Sequence, residues 1–476
     1  MSKRTLVVAS LAAVGLASGV ARAQPEPAPP APAGAPLPAP DLDASRAAAT
    51  FDAHIAEMVN RPGGLTADAA AERAAKVSPD VRRKAAEVAK AYADAKRTEL
   101  VRVPRFSTSL TYTRLSDIDP PELAPGFTFP VLLNSTAFTA ELGVPLSDYL
   151  LTFPALLKAA QAGTVAARTA ERASEVDARH QARLAYYEWV RSSLQVLVGK
   201  QLVEQVEAAL VRVTALSEVR AVTRADLLRV QAQRAQVKLG LAQLESAADL
   251  REQQLRLLIG AEPGEVLTIG EDVQAELPAL AAPEVPALLA EATQRRLDVK
   301  TLDAGILARQ QQARAQRAGK YPRLAAFAQA TYANPNQRIQ PSHDEFDFTW
   351  AAGVSLSWSL NDMLDADAAV ASVDAEARTL VEDRARLLQG VQLELESAAS
   401  ALELARASLE VSQEGLAAAE EGYRLRQELL SLQRATAVEI VDAETELTRA
   451  RIAAVDARID ERVARLRLRH ATGEDI

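Results

Sequence analysis

One stretch of the sequence, Phe346 to Leu360, alternates strictly between large apolar residues and small or polar ones. The apolar residues occupy its even positions: Phe346, Phe348, Trp350, Ala352, Val354, Leu356, Trp358 and Leu360. A period of two predicts a β-strand with one apolar face. The stretch is longer than most strands of soluble proteins and has aromatic residues near both ends, as in a strand that crosses an outer membrane. The alternative is an ordinary strand over a soluble core.

Three further segments show weaker versions of the same alternation, at 106–115, 135–146 and 324–332. Together with the first stretch they form two pairs, and a polar, proline-containing loop separates the members of each pair. This arrangement predicts two β-hairpins. Almost all of the remaining sequence has helical composition and spacing, which is an unusual ratio of strand to helix for a globular domain.

Composition excludes several classes of function. The chain has 476 residues, a formal net charge of −9 and no cysteine. An acidic chain without a basic cluster is not expected to bind nucleic acid, and a chain without cysteine forms neither disulfides nor thiolate metal sites. The histidines are scattered, and neither a catalytic triad nor a phosphate-binding glycine loop occurs. We therefore expect no cofactor, no metal site and no enzymatic activity; the acidic group around His343 is expected to be a solvated loop.

The N-terminus has the features of an export signal. Basic residues precede an apolar run from Leu6 to Leu16, and an Ala-Arg-Ala cleavage motif ends at Ala23. These features predict a signal peptide over residues 1–23. A Pro-rich segment follows over 24–63, and its eight prolines from Pro25 to Pro40 predict an extended spacer without a core. No later apolar run is long enough for a transmembrane helix.

The rest of the sequence consists of two related halves. Corresponding positions occur in the same order in both, among them Asp80 with Asp298 and Pro104 with Pro322. We predict a first repeat over 64–262, a linker over 263–285 and a second repeat over 286–476. Each repeat runs from a helix through a hairpin, a very long helix and a shorter returning helix to a terminal glycine.

The composition also predicts where the strands and long helices of each repeat lie. In the first repeat the strands are expected at about 104–116 and 135–147, and the long helices at about 154–219 and 224–260. In the second repeat the strands are expected at about 322–333 and 346–360, and the long helices at about 364–432 and 437–472. A helix of about 66 residues is about 100 Å long, and its apolar spacing is typical of coiled-coil packing.

Four strands cannot close a membrane barrel, because about eight is the smallest number that does so. An open sheet edge in lipid would leave backbone N–H and C=O groups without hydrogen bonds. If these strands span a membrane, several copies of the chain must therefore combine.

Several short motifs occur in order across the two halves. They are LTADAAAERAAKVSPDV near the start, GVPLSDYLL and GVSLSWSLNDML before the long helices, and RADLLRVQAQ and AVEIVDAETEL in the returning helices. With these motifs, from Leu65 to Gly473, the chain resembles the TolC-like outer-membrane efflux proteins. The resemblance implies a mainly α fold with a membrane β-barrel portion. It implies a homotrimer in which four strands per protomer form a twelve-stranded barrel, continued by an α-helical barrel.

The resemblance also implies a function and partners. The chain would be a passive exit duct in the cell outer membrane that extends into the periplasm, in contact with outer-membrane lipid. A periplasmic adaptor protein and an inner-membrane pump would deliver its substrates, in a tripartite efflux or type I secretion system. Two alternatives stay open: a periplasmic adaptor protein and a structural coiled-coil protein of the envelope.

Finally, the resemblance implies a gate at the periplasmic tip. Glu439 and Asp442 match the acidic pair that constricts the tip in the family, Arg434 the basic residue before it, and Asp226 the acidic partner in the first repeat. Glu439 and Asp442 are three residues apart and so share a helix face, and rings of such carboxylates favour cations. The alternative is an ordinary solvated helix face.

Two features depart from the family pattern. The turns RAVTRAD and RATAVEI lack the glycine that the family usually has between paired helices, which leaves adaptor docking open. Tyr423 lies farther from Glu439 than the tyrosine of the family's gate lies from its acidic pair, and we do not expect it to line the gate.

Overall fold

The structure is a computed structural model of the chain. It describes residues 53–117, 122–124, 127–128, 132–220, 222–279, 284–432, 434–435 and 437–474. The predicted signal peptide and most of the predicted Pro-rich segment lie outside the described residues. The described end of that segment is helical over 53–58, and Ile55 and Val59 are buried in the main core, so the segment does not stay outside the core up to residue 63.

Both repeats contain long helices and two long strands, and the first repeat also has two short paired strands between its long ones, Glu122–Ala124 and Phe127–Thr128. In the first repeat the helices and long strands are α1 (Ala67–Val77), α2 (Pro79–Leu100), β1 (Arg105–Arg114), β2 (Asn134–Val144), α3 (Leu146–Leu151), α4 (Phe153–Glu218) and α5 (Arg224–Ile259). In the second repeat they are α6 (Val285–Arg295), α7 (Leu297–Arg317), β3 (Arg323–Asn334), β4 (Asp347–Ser357), α8 (Leu360–Ser431) and α9 (Ala437–Thr472).

The strand predicted over 346–360 is shorter in the structure, because a helix begins inside the predicted range. β4 ends at Ser357, and Leu360 is the first residue of α8. The Ser359 side chain caps α8 by accepting the N–H of Asp362 at 3.3 Å. The alternation continues through Leu360, but the Ser-x-x-Asp capping pattern determines where the helix starts.

The strand predicted at about 135–147 also ends early. β2 stops at Val144, and Pro145 separates it from α3. Proline has no N–H to donate to a neighbouring strand, so the ladder ends before it.

The four long strands form one antiparallel sheet in the order β1-β2-β3-β4, so β2 and β3 join the two repeats. Alternate residues divide the sheet into two faces. The apolar face carries exposed Phe106, Leu110, Tyr112, Phe138, Leu142, Tyr332, Phe348, Trp350, Val354 and Leu356. The polar face carries mainly Ser, Thr, Ala and Gly. β1 and β4 are the edge strands of this sheet.

The helices continue the same order. α2 and α5 pack along one side of α4, while α7 and α9 pack along its other side. α8 packs against α7 and α9. The first repeat therefore supplies one edge of the helical layer and α8 of the second repeat supplies the other, as β1 and β4 do in the sheet. Within the described part of the chain, every helix is too short or too polar to cross a bilayer.

The main core lies halfway along α4, where α1 and the C-terminal parts of α5 and α9 pack against it. Tyr186, Trp189 and Leu194 of α4 are almost completely buried there. Each fully buried large side chain stabilises the fold by about 1.5–3 kcal/mol. This core fixes the two repeats against each other.

The segment predicted as a linker, 263–285, is partly built into this core. Ile269 and Val273 are buried, and Leu65 forms a parallel bridge with Ile269. The backbones of Gly64 and Gly270 lie so close that a Cβ on Gly270 would come within 2.3 Å of the Gly64 carbonyl oxygen. The short apolar clusters of the segment therefore pack into the core, and only glycine permits this backbone approach.

Candidate functional site at the tips of the helical hairpins

The turn between α4 and α5 contains three residues with special roles. Arg220 lies two residues after the end of α4 and has the left-handed conformation, with φ of 57°. Thr223 and Asp226 then form a capping box at the start of α5: Thr223 Oγ1 accepts the Asp226 N–H, and the Thr223 N–H donates to Asp226 Oδ2, both at 3.2 Å. Arg220 thus occupies a conformation that glycine adopts without strain.

The turn between α8 and α9 is only partly described. The Arg434 N–H donates to the Leu429 carbonyl at 2.8 Å, which closes the end of α8, and the Arg434 side chain is exposed. The gap between the helices predicted at 364–432 and 437–472 falls in this turn, where residues 433 and 436 lie outside the described residues. α9 begins at Ala437, and Glu439 lies in its first turn, where the helix dipole stabilises a carboxylate.

The four predicted gate residues lie in these two tips, but they do not all meet. Glu439 and Asp442 are both on exposed positions of α9. Asp226 is held by its own helix cap, and the hydrogen bond from the Thr223 hydroxyl lowers the pKa of the Asp226 carboxyl. The Asp226 carboxylate therefore caps α5, and the ion pair that the structure shows between the two tips does not involve it.

That ion pair joins Arg229 of α5 to Asp442 of α9. The distance from Arg229 Nη2 to Asp442 Oδ2 is 3.8 Å, and both side chains are about two-thirds exposed. The sequence reasoning missed Arg229, although it lies one helical turn after Asp226. An exposed pair of this kind is screened by solvent and contributes little to stability.

A second contact holds α8 and α9 together behind the exposed acids. Tyr423 is 6% exposed and its hydroxyl donates to Glu444 Oε1 at 2.8 Å; Glu444 is 5% exposed. Burial raises the pKa of the Glu444 carboxyl, while the Tyr423 hydrogen bond and the charge of Arg212 oppose this rise. Tyr423 therefore faces the inside of the hairpin, and Glu444 is a buried acid that the sequence reasoning missed.

Another ionisable cluster lies near the main core. The rings of His180 on α4 and His470 on α9 stack at 3.9 Å between centroids, and Asp177 Oδ1 lies 3.7 Å from His470 Nε2. Burial, together with the neighbouring His470, lowers the pKa of His180 to about 3. Both Nδ1 atoms are buried without a hydrogen-bond partner. The pair links the two repeats and is most stable with His180 neutral.

Metal binding finds no support in the described residues, where no group of three His, Asp or Glu side chains is placed to hold an ion. His343 Nε2 lies 2.9 Å from Asp347 Oδ2, so this loop histidine pairs with a single carboxylate.

Comparison with known proteins gives one family. The family model described as outer membrane efflux protein matches residues 288–474, which is the second repeat. No curated protein sequence matches the chain.

Several solved structures share the fold. The outer membrane protein VceC of Vibrio cholerae is 17% identical, with a TM-score of 0.71 over 86% of this chain and 96% of that chain. The outer membrane channel CmeC of Campylobacter jejuni is 13% identical, with a TM-score of 0.70 over 88% and 89%. The outer membrane channel MtrE of Neisseria gonorrhoeae, solved in an open state, is 15% identical, with a TM-score of 0.68 over 86% and 88%.

Proposed function

Because residues 288–474 match the outer membrane efflux protein model and the chain shares its fold with solved outer-membrane channels, we propose that it is a TolC-like exit duct of a tripartite efflux or type I secretion system. The family consists of passive channels of the outer membrane rather than enzymes. An inner-membrane pump would supply the energy and a periplasmic adaptor would connect the pump to the duct. Substrates would leave through the helical and β portions in turn.

The observation that carries this proposal is the four-stranded sheet. One of its faces is covered with exposed aromatic and aliphatic side chains, and the other carries mainly small or polar ones, with Phe327 as an exposed aromatic residue among them. In a soluble monomer the apolar face would be a large and costly exposed patch. In a closed barrel it would contact lipid, and the polar face would line the lumen. Neither a periplasmic adaptor nor a structural coiled-coil protein needs such a sheet.

The two open edges support a homotrimer. β1 and β4 are the edges of the sheet, and the helical layer ends on the corresponding sides. If β4 of one protomer pairs with β1 of the next, three protomers close a twelve-stranded barrel, and α8 packs against the first-repeat helices of its neighbour. Closure would give the backbone N–H and C=O groups of both edge strands hydrogen-bond partners, as the hydrocarbon environment requires.

The gate is proposed at the far end of the helices. Glu439 and Asp442 would form acidic rings about the three-fold axis, with Arg434 and Asp226 in the adjacent turns. The exposed positions of the two acids on α9 support this placement. We add Arg229 to the proposed gate, because it is the first-repeat residue that forms an ion pair with Asp442.

The first test combines mass and conductance. The full chain, extracted in detergent, is expected to be a trimer by mass in that detergent, and to form a small, cation-preferring pore in planar bilayers. A monodisperse monomer that needs no detergent and does not conduct would refute the proposal and favour the adaptor or coiled-coil interpretation.

The gate is tested by replacing Glu439 and Asp442 together with alanine. Loss of the acidic rings is expected to raise conductance and to reduce the preference for cations. The matched control is Glu446→Ala, which removes an exposed carboxylate of the same helix that pairs with Arg426 of α8. Conductance and ion preference that stay at the parent values in the double variant would show that these acids do not line the constriction.

A further inference from the structure

The loop between β3 and β4, residues 335–346, is mostly exposed but contains one buried polar residue. Asn336 is 3% exposed, and Ala333 near the end of β3 is 5% exposed. The other β3 residues are half-buried or exposed. The loop covers this end of the sheet instead of projecting away from it.

The contacts of Asn336 show which face is covered. Its Nδ2 donates to the Asp347 carbonyl oxygen at 3.0 Å and to Thr349 Oγ1 at 3.2 Å. Thr349 is at an odd position of β4, so its side chain is on the polar face. Ala333 pairs with Asp347 and lies on the same face. The loop is therefore folded over the polar face of the sheet.

Further contacts hold the loop in this position. The Asn336 side-chain oxygen accepts the Arg338 N–H at 3.1 Å, so the buried amide bonds through both its oxygen and its nitrogen. At the other end of the loop, His343 Nε2 lies 2.9 Å from the Asp347 carboxylate. A buried amide bonded at both ends fixes one conformation, because any other leaves polar groups unsatisfied.

From these contacts we propose that Asn336 is a positioning residue that holds the β3–β4 loop inside the outer mouth of the duct, where the loop limits the size of solutes that enter the lumen. This inference rests on the proposed function, since the polar face lines a lumen only in a closed barrel. The hairpin loops lie at the opposite end of the strands from the long helices, so this mouth opens to the cell exterior. Three copies of the loop would narrow it.

The test uses cysteine labelling from outside intact cells. The chain has no cysteine of its own, so only the introduced thiol of this protein reacts. Ala351→Cys places a thiol on the polar face of β4, one residue pair deeper than Thr349. Its rate of reaction is measured with a small membrane-impermeant maleimide and with a bulky polyethylene glycol maleimide. Both rates are compared with and without Asn336→Ala; Gln337→Ala, at the next and exposed position, is the matched control.

Asn336→Ala is expected to raise the rate with the bulky reagent roughly tenfold or more, because the variant loses the three hydrogen bonds of the Asn336 side chain and the open population of the loop rises. The rate with the small reagent and with Gln337→Ala should stay at the parent value. This size dependence separates a positioning role from a merely structural one, which would change both rates alike.

Three results would overturn the inference. An unchanged bulky-reagent rate in Asn336→Ala would show that the loop does not limit entry. Equal acceleration of both reagents would show a general loosening of the strand. A separate Gln337→Cys variant reports on topology: if the bulky reagent does not label it from outside, the loop is not at an outer mouth and the proposed function fails as well.

Discussion

Arginine at two neighbouring alanines of β4 tests the assignment of the two faces of the sheet. Ala351 and Ala352 stand at the middle of the strand, Ala352 on the apolar face between Trp350 and Val354, and Ala351 on the polar face. Ala352 pairs with Ala328, which offers no partner for a charge. Ala351 pairs with Gln329, whose amide donates to Glu141 at 3.2 Å. The same substitution therefore meets lipid at one position and polar groups at the next.

An arginine on the lipid face at the bilayer midplane costs about 2–4 kcal/mol, and a trimer would carry this cost three times. Ala352→Arg should therefore strongly destabilise the folded state in a bilayer. Ala351→Arg should change stability by about 1 kcal/mol or less, because its guanidinium can reach water and a carboxylate in the lumen. Both variants and the parent are unfolded with urea from lipid vesicles at one protein concentration, and folding is followed by tryptophan fluorescence. Equal losses at the two positions, or a larger loss for Ala351→Arg, would refute the assignment of the faces.

Three further predictions concern the helical part. Arg220→Gly should raise the free energy of unfolding by about 0.5–1 kcal/mol by relieving the left-handed strain, whereas Arg220→Ala should not; thermal unfolding of both variants decides. The folded state lowers the pKa of His180 from its ordinary value to about 3, so the unfolded state binds more protons between pH 3 and about 6.5. The free energy of unfolding therefore rises with pH across that window, by on the order of 2 kcal/mol. His180→Phe, which keeps a ring against His470, should flatten this rise in urea titrations, and an unchanged slope would exclude His180 as its source. Burial raises the pKa of Glu444, so the folded state holds a proton that the unfolded state releases, and the free energy of unfolding falls as pH rises above the ordinary carboxyl range. Glu444→Gln should remove that fall while preserving an acceptor for the Tyr423 hydroxyl. Urea titrations between acid and neutral pH measure the difference between this variant and the parent.

Features that depend on neighbouring residues could be predicted from the sequence. The alternation of Phe346 to Leu356 depends only on the period of a strand, and the structure places this pattern in β4. A helix cap also depends on one side chain and a nearby N–H, as at the start of α1, where Thr66 Oγ1 accepts the Ala69 N–H at 3.1 Å. At Ser359 two such rules conflict: the alternation predicts that the strand continues, and the capping pattern predicts that a helix begins. The sequence alone did not show which of these structures forms.

Features that depend on helix rotation or on packing between helices could not be predicted in this way. Glu439, Asp442, Glu444 and Glu446 are spaced closely in one acidic segment, and only the position of α8 and α4 decides that Glu444 is buried while the others are exposed. Similarly, Arg229 follows a motif that indicated Asp226, but its partner lies in the other repeat. The sequence narrows the site to a short segment, and the fold selects the residues within it.

Two of the contacts near the tip differ in strength, and this difference suggests how the proposed gate would open. Tyr423 and Glu444 join α8 to α9 within one repeat, through a buried hydrogen bond whose loss would leave a polar group unsatisfied. Arg229 and Asp442 join the two repeats through an exposed pair that solvent screens. A force applied at the tip would therefore separate α5 from α9 before it separated α8 from α9. On the proposed function, opening is then a movement of one intact hairpin away from the other, and the weak Arg229–Asp442 contact is where that movement begins.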